Sequence, residues 1–223
     1  MTVANIISNI SDNTVRCSNP TGAAGWSNLR KDSDSTDCTL GVVSAATDSL
    51  GLSLIQKFSV INILRSFFQF NLSGIANTNT VSAASFTFYA TSTGASIQTS
   101  VQKGYQHNPV TTADYYNIAY VPTTPAGAYG FSTNSVGSNT ITFNAAGISD
   151  VQSALGGTFS MCGREYNYDY LGTQIPGTIA TYATTIQMAD GVVFAKPTLN
   201  ITYSAGGPSY TLANFLPILS PRG

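Results

Sequence analysis

The sequence predicts an all-β protein, an antiparallel β-sandwich of jelly-roll type. Strand-forming residues are dense along the chain and helix formers are scarce. Several short segments alternate apolar and polar residues with a period of two, which is typical of half-buried strands. Turn-rich segments separate them, without the alternation of strands and helices that a parallel sheet requires. A chain of 223 residues is expected to form one such domain.

Five segments carry the clearest strand pattern. Phe86 and Phe88 share one face of the second segment, and Thr87 takes the opposite face. In the first segment, Phe68 and Phe70 alternate in the same way. The predicted strands are Ser66–Leu72, Val81–Thr91, Asn139–Asn144, Thr158–Cys162 and Leu199–Tyr203.

One short helix is predicted over Ala145–Leu155. Ile148, Val151 and Leu155 have helical spacing, Ser149 or Asp150 lies near its start, and two glycines at 156 and 157 would end it.

Three regions differ in composition. Residues 1–50 are polar and rich in turn formers, which predicts a loop-rich region with edge strands, and residues 51–203 hold the sandwich. Residues 204–223 form a flexible hinge followed by an apolar arm. An apolar arm is costly to leave in water, so it should either pack back on its own domain or insert into a neighbouring subunit, and the hinge before it favours the neighbour. The expected interface residues are Tyr210, Leu212, Phe215, Leu216, Ile218 and Leu219.

Low charge excludes several classes of protein. Charged residues make up 9% of the chain and the formal net charge is −1, so there is no basic footprint for nucleic acid. No apolar run reaches the ~20 residues of a membrane-spanning helix. The first residues lack the charged and apolar regions of a secretory signal.

Neutral, hydroxyl-rich surfaces suit an assembly in which many like subunits touch without charge repulsion.

Candidate catalytic residues are few. His107 is the single histidine, lies in a loop-like segment and is interpreted as a surface residue. Glu165 and Asp169 are a close carboxylate pair, but on a strand they would lie ~13 Å apart, too far for glycoside hydrolysis. In a turn the two could approach. The favoured interpretation is a polar strand edge with interleaved tyrosines.

Metal sites and disulfides are also weakly indicated. Asp32, Asp34 and Asp37 cluster, yet the segment fails the EF-hand template, and a solvated acidic loop is favoured over a calcium site. Cys17 and Cys38 could pair, but the odd cysteine count argues against a disulfide framework. Cys162 is expected to be a buried free thiol. We expect no cofactor.

Tyrosines are the richest feature of the sequence. Those at 105, 115, 116, 120 and 129 fall in one loop-rich insert, and those at 166, 168 and 170 are expected to alternate on one strand face. Subunit contact, packing in the sandwich core and stacking on sugar rings remain open as their roles, with subunit contact favoured. The candidate ligand or interface aromatics are Tyr115, Tyr116, Tyr120, Tyr166, Tyr168 and Tyr170.

Several motifs occur in an order that matches a known family. Arg65–Ile75 reads R-S-F-F-Q-F-N-L-S-G-I, Val81–Tyr89 reads V-S-A-A-S-F-T-F-Y, and Lys196–Tyr203 reads K-P-T-L-N-I-T-Y. Together they resemble the DNRLRE-type β-sandwich domains, which are related to a family of carbohydrate-binding modules. The stretch R-E-Y-N-Y-D-Y-L-G-T-Q-I-P-G at Arg164–Gly177 is similar to a segment common in phage-encoded versions of this sandwich.

The resemblance and the low charge lead to one expectation about function. We expect a non-enzymatic bacteriophage structural protein on the virion surface, either a capsid decoration or a tail or fibre component. Its partners would be second copies of itself and other virion proteins, with no nucleic acid and no membrane span. The alternative is a carbohydrate-binding or host-adhesion module with a glycan as its ligand.

Overall fold

The computed structural model describes residues 1–8, 13–20, 38–40, 49–57, 60–94, 97–116, 127–173, 180–187 and 194–206. Within these ranges the chain is mostly β-strand. The strands are Thr2–Ile7 (β1), Asn13–Pro20 (β2), Cys38–Leu40 (β3), Ser49–Lys57 (β4), Val60–Asn71 (β5), Thr80–Thr93 (β6), Gln98–Lys103 (β7), Ala128–Thr133 (β8), Gly137–Thr142 (β9), Thr158–Glu165 (β10), Ala180–Gln187 (β11) and Thr198–Ser204 (β12). The helical elements are a 3₁₀ helix over Thr112–Tyr116, an α helix over Ala145–Ser153 (α1) and a π-helical turn over Tyr166–Tyr170.

Two antiparallel sheets pack face to face, which confirms the predicted sandwich. Sheet I has the strand order β1-β12-β6-β9, and sheet II has the order β3-β2-β5-β10-β7-β8. The antiparallel pair β4 and β11 joins them, because β4 pairs with the start of β5 and β11 pairs with the end of β6.

Aromatic side chains fill the space between the sheets. Phe68 and Phe70 of β5 are fully buried and face Phe86 of β6, with ring centroids 5.1 and 6.2 Å from it. Phe88 stacks on Phe86 at 5.5 Å. Each such ring pair contributes about 1 kcal/mol beyond the area that it buries. The predicted alternation of these strands is confirmed, since the apolar faces meet in one core.

Strand β5 is buried on its second face as well, which the alternation did not predict. Arg65 and Phe67 are fully buried and Gln69 is 6% exposed, although they point away from the core between the sheets. The segment after β7 contacts Arg65 and Gln69. Arg65 donates to the carbonyl oxygen of Tyr115 in the 3₁₀ helix at 2.7 Å, and Gln69 donates to the carbonyl oxygen of His107 at 3.4 Å.

Helix α1 confirms the predicted helix, with a different cap. The side chain of Asn144 accepts a hydrogen bond from the backbone N–H of Gly147 at 3.0 Å, so Asn144 is the N-cap and not Ser149 or Asp150. Gly156 follows with a φ of 80°, a left-handed conformation that glycine adopts without steric cost.

The cysteines differ from the expectation. Cys17 of β2 and Cys38 of β3 lie opposite each other in register and form a disulfide. The two residues are thus paired, although the odd cysteine count disfavoured a disulfide. Cys162 is free and buried, as expected. In the part of the chain that the structure describes, no helix has the length and apolarity needed to cross a membrane.

Candidate functional site

A buried ionic cluster lies on the outer side of sheet II. The carboxylate of Asp169 accepts from Arg65 Nε at 2.9 Å and Nη2 at 2.8 Å. It also accepts from Arg164 Nε at 3.0 Å and Nη2 at 2.7 Å. One carboxylate is thus held by two guanidinium groups, each through two hydrogen bonds, which is the strongest arrangement of charged hydrogen bonds.

The cluster follows from how β5, β10 and the π-helical turn are connected. Strands β5 and β10 are antiparallel neighbours whose register brings Arg65 and Arg164 side by side on the outer side of sheet II. The chain then reverses in the π-helical turn, which closes with a hydrogen bond from Leu171 N–H to the carbonyl oxygen of Tyr166 at 2.8 Å. This reversal places Asp169 back over the two arginines.

The charges of the cluster stabilise one another. Asp169 and Arg65 are fully buried, and Arg164 is 1% exposed. Burial alone would raise the pKa of Asp169, but the charges of Arg164 and Arg65 outweigh burial and hold that pKa below its usual range. Asp169 is therefore ionised at neutral pH and carries no proton to transfer.

Glu165 has a separate structural role. It is 2% exposed, and its carboxylate accepts a hydrogen bond from the backbone N–H of Tyr168, which caps the π-helical turn. Burial raises the pKa of Glu165 above its usual value. The expected polar strand edge is wrong, because Glu165 and Asp169 are buried and serve a turn and an ion pair.

The predicted alternation of Tyr166, Tyr168 and Tyr170 on a strand face is also wrong, because all three lie in the π-helical turn. Their rings are half-buried. Tyr166 stacks between Phe131 of β8, at 4.3 Å, and Tyr170, at 5.6 Å, with the ring planes within 14° of parallel.

These rings line a groove between the π-helical turn and the start of α1. Thr142 and Asn144 lie on its other side. The hydroxyl of Tyr170 accepts from the backbone N–H of Ala128 at 2.9 Å, which fixes that ring. Phe131 is 51% exposed, so it offers an aromatic surface at the rim of the groove.

Sheet I differs from sheet II because its outer side is open. Twelve side chains of four strands form this surface, which we call the outer face, and every one is exposed or half-buried. None of the twelve carries a charge. They are Val3, Asn5 and Ile7 of β1, Thr198, Asn200 and Thr202 of β12, Ser85, Thr87 and Tyr89 of β6, and Ser138, Thr140 and Thr142 of β9.

Side-chain hydrogen bonds run across the outer face. Asn200 donates to Thr87 at 2.9 Å, and the hydroxyls of Thr87 and Thr140 lie 3.2 Å apart. At one end Phe194 stacks on Tyr89 with ring centroids 4.4 Å apart and is 41% exposed. The result is an uncharged surface with apolar residues at its margins.

The other predicted site residues have separate positions. Tyr115 is fully buried, with the Arg65 guanidinium 4.1 Å from its ring centroid, so its ring is covered and not available to a partner. Tyr116 is the last residue of the 3₁₀ helix, and its side chain lies outside the described part. The following residues also lie outside the described ranges: Asp32, Asp34, Asp37, Tyr120, Tyr210, Leu212, Phe215, Leu216, Ile218 and Leu219.

His107 lies in an exposed loop, as expected. Its Nδ1 is 2.7 Å from Asp114 Oδ1, and its side chain is 65% exposed. The second oxygen of Asp114 accepts from the backbone N–H and the hydroxyl of Thr111. Asp114 thus holds a turn together.

Metal ligands and known relatives add nothing further. Among the described residues, no group of three or more histidine, cysteine and acidic side chains is placed to hold a metal ion.

No family model matches the sequence, and no curated protein matches it significantly. The resemblance to the DNRLRE-type domains therefore stays a prediction from the motifs.

Sequence reasoning missed the Arg65–Asp169–Arg164 cluster. One signal was available: Arg65 and Arg164 each stand within strand-forming residues of a chain that has only nine cations. A charged side chain in such a position must find a partner when it is buried. The partner could not be identified from sequence, because Asp169 was assigned to a strand.

We predict that Asp169→Asn lowers the free energy of unfolding by about 3–5 kcal/mol at pH 7, because two buried arginines lose their anionic partner. The pKa of Asp169 is lowered in the folded state, so its contribution is complete above the unfolded pKa of ~3.9 and is lost as the pH falls through the folded pKa. The difference in free energy of unfolding between the unmodified chain and Asp169→Asn should therefore narrow below about pH 4. Denaturant unfolding between pH 7 and pH 3 measures it.

Lys103→Met is the matched control, since it removes the half-exposed ion pair of Lys103 with Asp150. It should cost no more than about 1 kcal/mol. Equal effects of the two substitutions would contradict the role given to Asp169.

Proposed function

We propose that this protein is a non-enzymatic structural subunit of a bacteriophage virion, located on the surface of the capsid or tail. Its partners are second copies of the chain and other virion proteins. The uncharged outer face of sheet I carries the proposal. The resemblance of the motifs at Arg65–Ile75 and Lys196–Tyr203 to phage-encoded sandwich domains supports the setting.

A face without charge suits contact between identical subunits. Like charges on two copies repel each other across an interface, and buried charges lose their hydration. The threonine and asparagine side chains of the outer face already hydrogen-bond to one another, as Asn200 and Thr87 do. Burying these side chains therefore carries a smaller desolvation penalty than burying isolated polar groups would. Val3 and Ile7 at the margin add apolar area.

The size of the face points to repeated weak contacts. Four strands at a spacing of ~4.8 Å, with a rise of ~3.3 Å per residue, give the outer face a footprint of roughly 400 Å². A stable interface buries ~800 Å² on each partner. One such contact is therefore weak, and it becomes effective where many copies are held together. The apolar arm at Tyr210–Gly223 would supply a second contact between subunits.

The buried acids support a structural role over a catalytic one. Asp169 and Glu165 are nearly or fully removed from solvent, and both are engaged by arginines or backbone N–H groups. Burial raises the pKa of the Cys162 thiol to about 12, so it is protonated and unreactive at neutral pH. The burial of these groups, and the engagement of the two acids within the fold, support a structural role.

A second candidate function is supported by the groove at Phe131, Tyr166 and Tyr170. An exposed aromatic ring beside polar groups is suited to stack on a sugar ring. Phe131 is half exposed, and Thr142 and Asn144 lie close to it. On this interpretation the protein binds a glycan, either alone or as part of the same virion surface.

Solution mass tests the structural proposal. We predict that the full-length chain self-associates with a mass that rises with concentration, measured by light scattering. Thr140→Lys, which puts a charge on the outer face beside Thr87, should weaken association at least tenfold. The paired variant Leu216→Asp and Leu219→Asp should weaken it as well, because the arm then loses its apolar contact.

Asn77→Lys is the control for added charge, since Asn77 is exposed in the turn between β5 and β6. It should associate like the unmodified chain. A monodisperse monomer at every accessible concentration would overturn the proposal of self-assembly.

Glycan binding is tested separately on the same protein. If the groove binds sugar, Phe131→Ala should reduce binding on a glycan array at least tenfold through loss of the stacking surface. Val136→Ala, which truncates a 63% exposed residue between β8 and β9, should leave binding unchanged. Absence of any bound glycan, or equal loss in both variants, would contradict the second candidate function.

A further inference from the structure

We propose that two copies of this chain pair edge to edge through strand β1, antiparallel about a two-fold axis at Asn5. Strand β1 lies at the margin of sheet I, and among the described strands it pairs only with β12. Its second edge carries backbone hydrogen-bonding groups that a second β1 strand can satisfy. This inference rests on the proposed function, since it names one of the contacts between copies.

The register of β1 with β12 determines which backbone groups face outward. Ser8 N–H donates to the carbonyl oxygen of Pro197 at 3.0 Å, so this opposed pair is hydrogen-bonded. Hydrogen-bonded and non-hydrogen-bonded pairs alternate along an antiparallel ladder. The even-numbered residues of β1 therefore face β12. The N–H and C=O groups of Val3, Asn5 and Ile7 point away from it.

These three residues form a self-complementary row. In antiparallel pairing about Asn5, the Asn5 residues of the two copies face each other, and Val3 of one copy faces Ile7 of the other. Each of these pairs can exchange two backbone hydrogen bonds. The side chains match too, because the exposed Val3 and Ile7 meet on the outer face.

The same register matches the inner side of the strand. Ala4 of one copy would face Ile6 of the other, and in each copy both residues pack against the core. A shift by one residue would instead oppose residues from different faces of the pleat. The register centred on Asn5 thus satisfies the backbone, the outer side chains and the inner side chains together.

Strand β1 lacks the devices that normally protect an edge. Natural edge strands carry lysine, proline or a bulge that prevents pairing with another chain. The sequence T-V-A-N-I-I at Thr2–Ile7 has no charge and no proline, and its pairing with β12 is regular over all six residues. With a net charge of −1 for the whole chain, repulsion between copies is also small.

Edge pairing would enlarge the surface proposed for assembly. Joining two copies at β1 makes one continuous sheet from both copies of sheet I, with the two outer faces side by side. The combined footprint is roughly 800 Å², which reaches the size of a standard interface on one partner. The dimer would then be the unit that makes the further contacts.

Asn5→Pro tests the edge in the full-length chain. It removes the N–H at the proposed axis but no hydrogen bond to β12, so an edge strand tolerates it. The dissociation constant of the dimer, measured by analytical ultracentrifugation, should rise at least tenfold. Asn5→Thr keeps the N–H and should stay within about threefold of the unmodified chain. Circular dichroism and thermal unfolding establish that both variants are folded.

Cysteine cross-linking tests the register independently. Two Asn5 residues in a hydrogen-bonded pair have Cα atoms ~5.5 Å apart, which a disulfide can span. Asn5→Cys should therefore give a covalent dimer under mild oxidation. Val3→Cys is equally accessible, but two such residues would lie roughly 13 Å apart, so it should remain uncoupled.

The outcomes separate the two proposals. Edge pairing is overturned if the unmodified chain self-associates, Asn5→Pro has the same mass as the unmodified chain, and Asn5→Cys gives no cross-link. Assembly would then use other surfaces. Equal cross-linking of Asn5→Cys and Val3→Cys would overturn the register. A monomeric unmodified chain would overturn both the edge inference and the proposed function.

Discussion

The carboxylate of Asp169, held by Arg65 and Arg164, is the interaction on which the arrangement of sheet II depends. It connects two neighbouring strands to the turn that follows β10. Neither arginine could be buried without an anion, because an isolated buried charge costs several kcal/mol. With the anion in place, the π-helical turn is fixed over the sheet and presents Tyr166 and Tyr170 at its surface.

The ionic cluster of Arg65, Asp169 and Arg164 makes the outer sides of the two sheets different. On the outer side of sheet II, the 3₁₀ helix and the π-helical turn contact the buried Arg65. The twelve side chains of the outer face of sheet I are exposed or half-buried. Among the described residues, Arg65, Arg164 and Asp169 are buried on the outer side of sheet II, whereas the twelve side chains of the outer face of sheet I are uncharged. That division is the reason for proposing the outer face of sheet I as the surface that contacts partners.

The sequence predicted the parts of this structure that depend on local pattern. The alternation of Phe68 with Phe70 and of Phe86 with Phe88 identified two core strands, because a period of two is a property of each strand alone. Helix α1 was predicted for the same reason, although its cap at Asn144 was not. The turn at Tyr166–Tyr170 was missed, because alternating tyrosines imitate a strand and the reversal depends on a distant partner, Arg65. The disulfide between Cys17 and Cys38 likewise depends on the register of two strands that no local pattern reveals.

Hydrogen exchange at single amides tests whether Asp169 fixes the π-helical turn over sheet II. The N–H groups of Tyr168 and Leu171 are bonded within the π-helical turn, to the Glu165 carboxylate and the Tyr166 carbonyl oxygen. If Asp169 fixes this turn, Asp169→Asn should accelerate exchange at both amides far more than at the core amides of β6, under conditions in which the variant stays folded. Unchanged protection of the Tyr168 and Leu171 amides in the folded variant would show that the turn holds its place without the ion pairs of Asp169. It would contradict the role given to Asp169.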